Sequence, residues 1–144
     1  MTKITKRNRI AGFTLLELMI AGAILAILAA IAYPSYSQSI INGRRADGKT
    51  ALMNLANHLE QYYAQNNTFA TATIANVGSA AASDQGYYTL TIPAATLTAN
   101  SYTIQATRAG LQTADAHCGD LTLTSAGVKG IVSYASGYTA ALCW

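Results

Sequence analysis

A single acid, Glu17, interrupts what is otherwise an uncharged apolar stretch, and the residues after it carry no charge from Leu18 to Tyr33. A helix needs about 20 apolar residues to span a bilayer, and this stretch is of that length. An ionisable group inside such a segment costs roughly 3 kcal/mol on insertion scales, so by default it marks function. Lys3, Lys6, Arg7 and Arg9 precede the stretch, and a cationic flank of this kind stays on the cytoplasmic side. These are four of the nine Lys and Arg; the remaining five face six acids, a residual charge of −1. The pI near 9.0 therefore reports targeting and gives no ground for nucleic-acid binding. The same residues also describe an ordinary secretory signal, with Ala30-Ile31-Ala32 as a cleavage site releasing a soluble protein from Tyr33. Glu17 within the apolar core argues against that, as does sequence that remains helix-compatible past Ala32.

The spacing predicts one helix from Phe13 to about Asn66. Its first half, to Ala32, is apolar on all sides. Pro34 removes a backbone donor and predicts a kink or local melting. Gly43 and Gly48 weaken the following turns by roughly 1 kcal/mol each. Beyond them Leu52, Leu55, Leu59 and Tyr62 form a stripe, with Lys49, Asn54, Asn57, Glu60, Gln61 and Gln65 on other faces. Residues 67–86 lack periodicity and read as a mobile connecting loop; Asn66-Asn67-Thr68, at its start, matches a glycosylation sequon by chance. Strands are predicted at 87–92, 101–108, 120–124 and 128–133, the last two joined through Ser125-Ala126-Gly127. One helix followed by three or four short strands gives an α+β domain, with a small antiparallel sheet on one helix face.

No catalytic constellation emerges. The histidines are His58 and His117, and neither a nucleophile elbow nor a phosphate loop is present in the sequence. Cys118 and Cys143, an even pair in an exported chain, read as a disulfide. Such a bridge would stabilise by roughly 3–4 kcal/mol in the chain-entropy picture. The competing metal site, using His58, His117, Cys118 and Cys143, fits no zinc spacing. Arg44, Arg45 and Lys49, with Asp47 beside them, read as a solvated helix face or a subunit contact in preference to a DNA site. The tyrosines of the strands read as packing residues.

The order of cationic leader, Gly12-Phe13 junction, Thr14, Glu17, apolar run and Pro34 resembles the class III signal and N-terminal helix of type IV pilins and their secretion-system relatives. The resemblance implies cleavage by a prepilin peptidase between Gly12 and Phe13, N-methylation of Phe13, and an assembly role for Glu17. It implies the type IV pilin fold: a leader at 1–12, a membrane or fibre-core helix at 13–36, and a globular domain at 37–144. Cys118 to Gly130, Cys143 and Trp144 look like the disulfide-bounded end of type IVa minor pilins, while Arg44–Leu52 and Glu60–Tyr63 resemble the PilE-type minor pilin group. The implied function is a minor pilin that primes pilus assembly and supports twitching, adhesion or DNA uptake. A major pilin or a type II secretion pseudopilin is the alternative. The partners implied are other major and minor pilins, through the N-terminal helix, the peptidase and the inner-membrane assembly platform. The chain is then expected in the inner membrane before assembly and on the cell-surface pilus after it. No cofactor, metal, catalytic residue or nucleic-acid partner is expected. Calcium-binding acids of the pseudopilin kind have Asp115 and Asp120 as their nearest counterparts, and these flank a cysteine.

Overall fold

The computed structural model describes residues 13–144, so the leader and Gly12 lie outside the described residues. Helix α1 spans Leu15–Asn66 and is followed by strands β1 (Tyr88–Thr91), β2 (Thr103–Arg108), β3 (Asp120–Thr124) and β4 (Lys129–Val132), with a short terminal helix α2 (Ala140–Cys143). The chain divides into two compact units, one ending at Gln38 and one comprising Ser39–Trp144. In the first, the Ala- and Leu-rich sequence sustains α1 without a break through Pro34, so the melting anticipated there does not occur.

In the second unit, the 39–66 part of α1 lies on a four-stranded antiparallel meander of order β1-β2-β3-β4. Its buried positions include Arg45, Gly48, Leu52, Leu55 and Leu59, spaced by threes and fours as one helical stripe requires. The leucines at 52, 55 and 59 have no exposed surface, and each such burial is worth about 1.5–3 kcal/mol. Gly48 is there for contact: a Cβ at that position would sit 2.7 Å from the Tyr88 ring. The strands alternate. Tyr88, Leu90, Ile104, Ala106, Leu121 and Leu123 form the buried face, while Thr89, Thr91, Gln105 and Thr122 occupy the other. Register pairs Leu90 with Ala106, Ile104 with Leu123 and Leu121 with Ile131. Each strand therefore presents its apolar set to α1.

The segment between α1 and β1 departs from its reading as a mobile connector. Phe69, Ala72 and Val77 enter the core, with Phe69 stacked on Tyr63 at 4.6 Å and edge-on to Tyr102 at 4.9 Å. Thr73 and Asn76 bond reciprocally, the Thr73 N–H donating to Asn76 Oδ1 at 2.7 Å. An isolated bridge then ties Ala82 to Thr89 of β1. At the other end, Cys118 and Cys143 are bonded to one another, their Cα atoms 5.5 Å apart. Gly119, beside that bridge, has φ +63°, and a Cβ there would lie 2.1 Å from the Val132 carbonyl oxygen. Only glycine fits so close a strand contact.

Candidate functional site

The described chain begins at Phe13, whose side chain is 82% exposed. Thr14 precedes α1 and Glu17 lies in its first turn. The Thr14 N–H and hydroxyl both donate to Glu17 Oε2 at 2.9 Å, and the Glu17 N–H donates back to Thr14 Oγ1 at 3.2 Å. This is a reciprocal capping box, which satisfies donors that the first helical turn leaves without partners. Among the described residues no hydrogen bond falls on Glu17 Oε1. The sequence signal for such a box is the Thr14-Leu15-Leu16-Glu17 spacing, which the reading of Glu17 as an assembly acid leaves out. The large apolar side chains that follow, from Leu15 to Tyr36, are all more than half exposed. By length and composition α1 also qualifies as a membrane span.

A buried polar network joins α1 to the start of the disulfide-bounded region. Arg45 donates through Nε and Nη2 to the two carboxylate oxygens of Asp115 at 2.5 and 2.8 Å, with side chains 8% and 0% exposed. Burial pushes the Asp115 carboxyl up, but Arg45 and the Cys118 N–H outweigh it and hold the group below its ordinary value. Gln112 donates from Nε2 toward Asp115, the Tyr88 hydroxyl and the Ile41 carbonyl, at 3.2, 3.1 and 3.3 Å. Burial raises the Tyr88 hydroxyl to about 12, against the lowering effect of the Gln112 bond. Asp47 is also buried, accepting from the Ser83 hydroxyl at 2.5 Å and the Gln85 N–H at 3.2 Å. Reading 44–49 as a solvated face therefore fails at Arg45 and Asp47. The missed signal is spacing: Arg45 stands seven residues, two helical turns, before Leu52 on the stripe.

Arg108 is similarly engaged. Its Nε donates to Asp120 Oδ1 at 2.9 Å, and Nη1 reaches the Asp115 carbonyl. Asp115 and Asp120, the nearest counterparts of calcium-binding acids, are thus each paired with an arginine. Among the described residues, Arg44 and Lys129 lie against aromatic rings. The Arg44 guanidinium stands 4.8 Å over the Tyr87 ring, and Lys129 Nζ 5.3 Å over Trp144. Trp144 is fixed by donating its Nε1–H to the Gly130 carbonyl at 2.9 Å. His117 stacks on Tyr138 at 4.5 Å, while His58 lies half-buried on α1.

The family described as "Type IV minor pilin ComP, DNA uptake sequence receptor" matches residues 34–122. The chain belongs to this family of type IV minor pilins. The prokaryotic N-terminal methylation motif matches residues 7–33 of the minor pilin, including the Gly12-Phe13 junction and Glu17. Among solved structures, the Neisseria meningitidis non-core minor pilin PilV is similar at 21% identity and TM-score 0.54, covering 69% of this chain and 93% of that one. A type IV pilin from Shewanella oneidensis matches at 23% identity and TM-score 0.43, covering 72% of this chain and 97% of that one. PilV supports the fold alone: a long N-terminal helix and a four-stranded antiparallel sheet. Pilins of these families are structural subunits. For this minor pilin, the apolar helix and methylation motif fit a membrane-anchored chain that later joins a pilus with other pilins.

Proposed function

We propose that this minor pilin enters a type IV pilus through its N-terminal helix and helps to prime assembly of the fibre. The observation that carries the reading is the uncovered apolar surface of α1 from Leu15 to Tyr36, headed by one acid. Each large apolar side chain there gains about 1.5–3 kcal/mol on leaving water, so the segment requires lipid first and neighbouring helices afterwards. In this account a prepilin peptidase cuts between Gly12 and Phe13, and Phe13 is then N-methylated. The membrane or fibre-core part of the helix is 13–36, with a kink at Pro34, and the globular part is 37–144. Glu17 pairs with the Phe13 α-amine of a neighbouring subunit, because an uncompensated carboxylate in an apolar core is strongly unfavourable. Oε2 is occupied by Thr14, which leaves Oε1 for that amine. The resemblances at 44–52, 60–63 and 118–130 support placement in the PilE-type group, near the fibre tip.

The direct test is Glu17→Gln. The amide keeps an oxygen to accept from Thr14, so the helix start is preserved while the charge is lost. The variant should be cut after Gly12 yet be recovered poorly from sheared pili. Normal recovery would rule out the pairing role.

The family description makes DNA a second reading, favoured by the half-buried Arg44 seated on Tyr87 and the exposed Lys129 seated on Trp144. Against it, Arg45 and Arg108 are spent on internal ion pairs. DNA retention by purified fibres with and without this chain, compared at two salt concentrations, separates the readings. Loss of a salt-sensitive fraction with the chain would favour DNA.

A further inference from the structure

The last two turns of α1, the segment just after it, and the turns before β2 and β4 border a depression of about 410 Å³. Ligand sites usually fall between about 300 and 1,000 Å³. Its lining is Glu60, Tyr63, Phe69, Asn100, Ser125 and Ala126. From Ser39 to Glu60 the helix rises about 30 Å, so the depression lies at the end of the globular unit remote from the entry of α1. Phe69 is the most buried member, its ring stacked on Tyr63 at 4.6 Å. Hydrogen bonds hold the rim in place. The Phe69 N–H donates to the Ala99 carbonyl and the Ser125 N–H to the Tyr102 carbonyl, both at 3.0 Å. The Asn100 N–H donates to Thr98 Oγ1 at 3.2 Å. Glu60 is fixed through Oε1, which accepts from the Tyr102 hydroxyl at 3.1 Å. Burial and the Glu60 charge both raise the Tyr102 pKa, so that hydroxyl stays a donor. Capacity is left over. Among the described residues no hydrogen bond falls on Glu60 Oε2 or Asn100 Nδ2, and the Ser125 hydroxyl proton has no acceptor. One charged acceptor and two donors therefore border an aromatic surface, on groups ordered in advance.

We propose that this depression binds the uncharged sugar ring at the end of a glycan chain. Such a site needs only the folded globular unit, and it goes beyond the assembly role whichever place the chain takes in a fibre. Sugar hydroxyls both donate and accept. One ring can therefore donate to Glu60 Oε2 and accept from Asn100 Nδ2 and Ser125 Oγ, while its C–H face lies on Tyr63. Phosphate and acidic sugars are poor occupants, because Glu60 alone among the lining residues is charged and repels them. An amine would use Glu60 and the aromatic ring but would leave both donors without partners.

The test is saturation-transfer NMR on the full chain, solubilised in a detergent without a sugar headgroup. The probes are methyl glycosides of glucose, galactose, mannose and N-acetylglucosamine, with glucose 6-phosphate and choline beside them. One ring in an open depression should bind at about millimolar strength, with transfer to the ring protons of at least one neutral glycoside. Glu60→Gln keeps an oxygen for the Tyr102 hydroxyl, and Asn100→Ala alters an exposed side chain. Each should weaken that binding by about fivefold or more while the melting temperature stays within about 3 °C of the parent. Asp84→Asn, exposed and outside the depression, should bind as the parent does. No transfer at about 10 mM glycoside, tenfold above the expected strength, would overturn the proposal. So would unchanged binding in both Glu60→Gln and Asn100→Ala, or weakened binding in Asp84→Asn. Transfer to glucose 6-phosphate or choline in preference to every neutral glycoside would also overturn it.

Discussion

Among the described residues, Arg45–Asp115 is the more deeply buried of the two ion pairs. Their charges are out of water, so deleting one leaves the other unpaired, at a cost of about 3–5 kcal/mol. Arg45→Met should lower the urea midpoint of the detergent-solubilised chain accordingly; a loss under about 1 kcal/mol would mean that the pair is weakly coupled. The pH dependence follows from the depressed Asp115 carboxyl. Its folded value lies below the unfolded value of about 3.9. The stabilisation is therefore present above about pH 4 and is lost as pH falls through the folded value. In Arg45→Met that carboxyl loses its partner, so acid unfolding should move to higher pH. Tyr88 behaves in the opposite sense. Its hydroxyl is held at about 12, above the unfolded value of about 10. Stability should be intact below pH 10 and decline between the two values, which phenolate absorbance during alkaline unfolding would register.

At the scale of elements, the contact of α1 with β1 sets two effects against each other. Gly48→Ala favours the helix by about 1 kcal/mol, but its Cβ meets the Tyr88 ring at 2.7 Å. Overpacking of that kind costs about 1–3 kcal/mol, so the variant should be destabilised by up to about 2 kcal/mol in thermal unfolding. A gain would show that Tyr88 moves aside freely. The Cys118–Cys143 bridge should hold the last strands: a double Ser variant should be cut by protease in 118–144 before elsewhere, whereas uniform cleavage would count against the tether. Much of this architecture was readable beforehand, because the period of α1 and the alternation of the strands are repeating signals. All four strands fall within the predicted runs, shortened where register ends at pairs such as Tyr88–Arg108. What lacked a repeating signal was not readable. Phe69, Ala72 and Val77 reach the core from a segment whose fold depends on single bonds such as Thr73–Asn76. The partners of Arg45 and Asp47 are 70 and 36 residues distant in sequence, at Asp115 and Ser83. At the N-terminal end the cap is legible as the four-residue run Thr14 to Glu17, while the pairing proposed for Glu17 with a second chain depends on an amine that only cleavage would create.

For the whole molecule, the account joins two demands: an apolar helix that must be covered by other chains, and a globular unit whose acids and arginines largely pair internally. A subunit with that balance suits a fibre in which the helix supplies association. A minor subunit that primes assembly should be scarce in the product and needed for its formation. Deleting the chain should sharply reduce surface pili and twitching, although it forms only a trace band in sheared fibres. A dominant band would make it the principal subunit instead. The most direct measurement is mass spectrometry of the N-terminus of the chain recovered from sheared pili. The account predicts a mature chain that begins at N-methylated Phe13 and retains the whole of α1; a chain beginning at Tyr33, or one found only as a soluble protein outside the fibre, would contradict it.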